Sequence, residues 1–140
     1  MVTKRATYTA SLWMLTILFA MRVYGQALQR WAPQPFLPPF DAFQGSNLPY
    51  WLLLSVQLAI LVVMIVVARR VQTRSLVPSA RAGTVLMRAG WIYMTVSVGR
   101  IVVGLSAPAA PAWFSAWIPA VFHVVLAAYV LTLAHYHRRA

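Results

Sequence analysis

The chain contains no cysteine and a single acidic residue, Asp41. Without cysteine there can be no disulfide, thiol nucleophile or cysteine metal site, and the redox compartment is left open. With one carboxylate there is no acid pair for general acid–base work. Nor is there the membrane-embedded acid expected of a proton-coupled four-span exporter. A nucleophile with an oriented base and a phosphate-cradling loop are also missing, so the chain reads as noncatalytic. An enzyme using His123 as general base would have only Asp41 as an acid partner, and this reading ranks last. Charge of either sign is scarce, at 9% of the 140 residues against roughly 25% in an ordinary soluble domain.

What is present is apolar sequence in long runs, 61% of the chain. From Trp113 to Ala134 no side chain is formally charged, and about 20 such residues cross a hydrocarbon core of about 30 Å. Trp113 and Trp117 mark one interface, and Tyr136, His137, Arg138 and Arg139 the other. Ala116, Pro119, Ala120 and Ala127 share a helix side with His123, a small-residue stripe that turns the histidine toward protein. Pro119 lacks an N–H, which frees the Ser115 carbonyl and predicts a modest kink.

Three further spans are predicted. The spans are residues 8–27, 49–68, 87–105 and 113–134, in one domain covering 1–140. Lys4 and Arg5 before an apolar run ending at Gly25, Gln26 and Ala27 have the outline of a signal peptide; an uncleaved signal anchor is the expectation. Between the first two spans, five prolines alternate with Trp31, Phe36, Phe40, Phe43 and Tyr50, which predicts an ordered loop at the outer interface. The segment from Arg69 to Gly83, with four arginines, reads as an inner loop lying against anionic lipid. Pro108 and Pro111 mark a short outer link between spans three and four.

The formal charge of +11 would suit nucleic acid, but its distribution argues otherwise. Nine of the twelve cations (Lys4, Arg5, Arg69, Arg70, Arg74, Arg81, Arg88, Arg138 and Arg139) fall at segment ends that share one side. The positive-inside rule accounts for that excess, and no nucleic acid partner is expected. The fold class is therefore an all-α integral membrane protein, an antiparallel bundle of four transmembrane helices with N- and C-termini cytoplasmic. Richness in Arg, Ala and Val suits a bacterial inner (cytoplasmic) membrane.

Few polar residues interrupt the spans. Helical rise places Gln57 about 10 Å in from Tyr50, Arg100 about 9 Å from Ser106, and His123 about 15 Å from Trp113. Arg22 lies at similar or shallower depth and Asp41 in the outer loop, so Arg22, Asp41, Gln57, Arg100 and His123 form one candidate constellation in the outer half. The plainer reading has the arginines snorkelling, Asp41 pairing with one of them, and His123 satisfying the carbonyl freed by Pro119. Arg22, Arg30 and Arg100 have only Asp41 to neutralise them, so an anion from lipid, ligand or partner is expected.

Haem would need two axial histidines at matched depth, and only His123 lies within a span, so haem is not expected. His135 and His137 diverge on a helix and have no carboxylate beside them, so no metal is expected. Two functions remain. The first is an accessory or structural subunit of a larger membrane complex, such as an energy-transducing one, with small-residue faces and arginines as its contacts. The second is a bundle that binds a quinone, lipid or similar amphiphile, with His123 and Gln57 bonding its head and Arg100 supplying charge.

Overall fold

The computed structural model describes residues 2–44, 47–106 and 117–139. They form four long helices, α1 (Val2–Trp31), α3 (Tyr50–Gln72), α4 (Ala80–Ser106) and α5 (Trp117–Arg139), with a short helix α2 (Phe40–Gln44) between α1 and α3. No strand occurs among the described residues. Each long helix is long and apolar enough to cross a membrane. The expected anchor Trp113, the link from Pro108 to Ala112, and the Ser115 carbonyl lie outside the described residues.

Local chemistry sets the helix ends. Pro49 precedes α3, and its carbonyl accepts the N–H groups of Leu52 and Leu53 at 3.1 Å. At the other end the Arg70 carbonyl accepts from Ser75 and Leu76 around Arg74, whose φ of 64° is left-handed. Pro78 and Ser79 then start α4: the Ser79 hydroxyl accepts the Ala82 N–H at 3.4 Å, and its carbonyl the Gly83 N–H at 2.9 Å. The inner loop is thus shorter than the expected Arg69–Gly83 stretch, because a capping serine outweighs the helix-breaking signal of Gly83.

In space the helices adjoin in the order α4, α5, α1, α3. The core is a stripe on α1, Leu12, Leu15, Phe19 and Val23, packed against Met64, Ala68 and Val71 of α3 and Tyr129 and Tyr136 of α5. That spacing is one helix face. Where α4 meets α5, a Cβ on Gly90 would come within 2.8 Å of Leu131, and one on Gly83 within 2.6 Å of Arg138. These glycines permit the approach. The outward faces of α3 and α4 stay apolar and open: Val62, Val63 and Ile92 are each about 60% exposed or more.

One end of the molecule is tied by polar contacts. Arg5 donates to the Tyr136 hydroxyl, which donates to the Leu76 carbonyl at 2.7 Å. The Ser79 N–H donates to His137 Nδ1 at 3.0 Å, and Trp13 Nε1 to Gln72 Oε1 at 3.1 Å. The beginnings of α1 and α4 and the ends of α3 and α5 therefore meet there.

Candidate functional site

At the far end of α1, Arg22, Gln26 and Gln29 recur at i, i+4 and i+7, and so line one face of an otherwise apolar helix. All three are buried. Gln29 ties down the proline-rich loop: its Nε2 donates to the Pro38 carbonyl at 2.7 Å, and its Oε1 accepts the Gln34 N–H. Gln26 joins three elements, donating to Gln44 Oε1 of α2 at 3.2 Å and accepting from Gln57 Nε2 of α3 at 3.3 Å. Gln44 in turn donates to the Leu48 carbonyl at 2.6 Å.

Arg22, 7% exposed, donates through one terminal nitrogen to the Phe43 carbonyl at 3.1 Å and lies over the Phe122 ring at 5.7 Å. Its Nε has no hydrogen-bond partner among the described residues, and neither has Gln57 Oε1 nor the Tyr50 hydroxyl. Tyr50 lies within electrostatic reach of Arg22 and edge-on to Phe40.

A second polar group sits between α4 and α5. The Tyr93 hydroxyl and His123 Nδ1 are hydrogen-bonded at 2.5 Å, their rings nearly perpendicular. Arg100, seven residues after Tyr93 and on the same face, is 5% exposed.

Of the five residues singled out from sequence, Arg22 and Gln57 belong to the first group and Arg100 and His123 to the second. The Arg22 guanidinium lies over the ring of Phe122, the residue before His123. Asp41 stands apart. It is exposed on α2, and Arg22 bonds the Phe43 carbonyl in its place. A carboxylate in the first turn of a helix and open to water is already well placed without an arginine. Among the described residues the ring partner of His123 is Tyr93, bonded at Nδ1.

Sequence reasoning passed over Gln26, Gln44 and Tyr93. The polar stripe through Arg22, Gln26 and Gln29 was a readable signal for the first, and the seven-residue spacing to Arg100 for Tyr93. Gln44 had no such signal, since only the fold of the loop carries it to Gln26. Among the described residues no cluster of His, Asp and Glu could hold a metal ion. No family model, curated protein or solved structure matches the chain.

Proposed function

We propose that the chain is a noncatalytic four-span membrane protein that holds the polar head of an amphiphile, a lipid or a quinone, against Arg22 and Gln57. The observation that carries this is a buried guanidinium whose Nε faces no acceptor, linked through α1 to a buried amide whose oxygen faces no donor. Such groups are expensive in a low-dielectric interior, by roughly 1–3 kcal/mol each. A polar head that bonds either group lowers that cost. Compared with the sequence reading, Arg22 replaces Arg100 as the charged contact, and His123 is a neighbour engaged by Tyr93.

The orientation belongs to the same proposal. The nine cations at the tied end put that end, with both termini, in the cytoplasm, and the cluster in the outer half of a bacterial inner membrane. Anionic lipid would lie against the inner arginines from Arg69 to Arg81. His135, Arg138 and Arg139, which line a cavity of about 180 Å³, extend the same surface.

The accessory-subunit reading draws its support from the open apolar faces of α3 and α4, where a Cβ on Gly99 would meet nothing within 4 Å. The contacts first assigned to a partner are used within the chain, however: Gly90 receives Leu131, and Arg22 and Arg100 are buried. Native mass spectrometry of the protein released gently from its own membrane tests the choice. A discrete small ligand on the protomer or a homo-oligomer is the expected result. A stoichiometric assembly with other proteins and no small ligand would reverse it.

A further inference from the structure

The tied end of the molecule holds a second polar site, built from the last turn of α5. His135, Arg138 and Arg139 stand at i, i+3 and i+4, so one helix face carries all three. Together they line a cavity of about 180 Å³. The negative end of a helix accounts for cations in its last turn, but not for the way this turn is held. Arg138 is seated on α4: a Cβ on Gly83 would fall 2.6 Å from its Cγ, so the arginine stem passes where only a glycine leaves room. His137, one residue earlier, accepts the Ser79 N–H at 3.0 Å and fixes the same turn. The His135 ring is held by its own helix, with Nδ1 2.8 Å from the Leu131 carbonyl.

That last contact sets the chemistry. A carbonyl only accepts, so Nδ1 carries the proton, and Nε2 is the nitrogen left for a ligand, an acceptor in the neutral ring. Arg138 and Arg139 only donate. The cavity therefore calls for several acceptor oxygens and one donor within the span of a single helical turn. We infer that it binds the terminal phosphate of an anionic lipid, a phosphomonoester, because the P–OH that donates to His135 and the oxygens that accept from the arginines then sit on one phosphorus atom. If the proton passes from the P–OH to Nε2, the phosphate becomes a dianion and the imidazole a cation, and the hydrogen bond between them persists with its direction reversed. A simple phosphodiester has no such proton and leaves the neutral histidine without a donor. A lipid is favoured over a soluble phosphate because the cavity closes the end of a helix long and apolar enough to cross a membrane, where head groups lie. This inference rests on the reading that anionic lipid lies against the inner arginines, and is independent of Arg22 and Gln57.

Native mass spectrometry of the full chain in a nonionic detergent, titrated with dioctanoyl phosphatidate and with its methyl ester, dioctanoyl phosphatidylmethanol, tests it. One lipid per chain is expected, with phosphatidate bound at least about tenfold more tightly, as one charge-assisted hydrogen bond gives. His135→Phe keeps both arginines and should cut that ratio severalfold. Arg139→Gln, at an exposed position outside the core, should weaken both lipids severalfold. Inorganic phosphate is the third probe and should not displace phosphatidate at equal concentration; displacement would assign the cavity to a soluble phosphate and overturn the lipid. Equal binding of the two lipids, a ratio that His135→Phe leaves unchanged, or affinities that Arg139→Gln leaves unchanged overturn the phosphomonoester site, while the general attraction of anionic lipid to the inner arginines stands. Failure of both lipids to bind the unaltered protein overturns that attraction and this inference with it.

Discussion

On the proposed amphiphile reading, Arg22 is the residue where stability and binding are most directly opposed. A buried charge bonded to one carbonyl and one ring face is poorly compensated, and replacing such a group by an apolar side chain is often stabilising. Arg22→Met should therefore raise the unfolding midpoint of the ligand-free protein, by on the order of 1 kcal/mol, while lowering the amphiphile retained through purification. Thermal unfolding of delipidated protein, with mass spectrometry of the extracted ligand, reads both quantities. A fall in stability without loss of ligand would make Arg22 a structural residue. Tyr129 gives the opposite case. Its hydroxyl donates to the Met64 carbonyl at 2.7 Å in the buried seam between α5 and α3. Tyr129→Phe should cost about 0.5–1.5 kcal/mol in the same unfolding measurement, and an unchanged midpoint would show that the bond contributes nothing. At this scale the sequence was half informative. Arg22, Gln57, Arg100 and His123 stood out because polar residues are rare in apolar runs, but their pairing was not legible. A rotation of one helix by a single residue exchanges which glutamine meets which, and hydropathy carries no such angle.

The elements were far more legible, because four long apolar runs with few polar residues leave little choice of secondary structure in a chain that must satisfy its own backbone. Their ends were less so. Arg74 adopts a left-handed conformation after α3 that glycine or asparagine usually supplies, and nothing in Thr73, Arg74 and Ser75 announces it. Arg74→Gly should accordingly stabilise the α3 terminus by about 0.5–1 kcal/mol, and an unchanged or lower midpoint would show that the left-handed turn carries no strain. The glycines of α4 make a paired prediction. Gly90→Ala drives a methyl into Leu131 at 2.8 Å and should lower stability by about 1–3 kcal/mol, as overpacking does. Gly99→Ala meets nothing and should be neutral or stabilising, by up to about 1 kcal/mol. Equal effects at the two positions would mean that helix propensity, not the α4–α5 contact, governs both.

For the whole molecule the decisive asymmetry is electrical. One acid against twelve cations leaves orientation to the distribution of arginine and lysine. That distribution is uneven, with nine at the end where Arg5, Tyr136, Leu76, Ser79 and His137 are joined. Translocating that end would move these charges across the bilayer, whereas the opposite orientation moves only Arg22, Arg30 and Arg100. A green fluorescent protein fused after Arg139 should therefore fluoresce, and alkaline phosphatase inserted beside Asn47 should be active in a bacterial host. The reverse pattern would put the Arg22–Gln57 cluster in the inner half of the membrane and remove the positive-inside argument altogether. Replacing Arg69, Arg70 and Arg74 together by glutamine separates orientation from packing. Arg69 and Arg70 are exposed at the end of α3, and none of the three side chains belongs to the core. The protein should keep its unfolding midpoint within about 0.5 kcal/mol while a fraction of molecules reports the inverted topology.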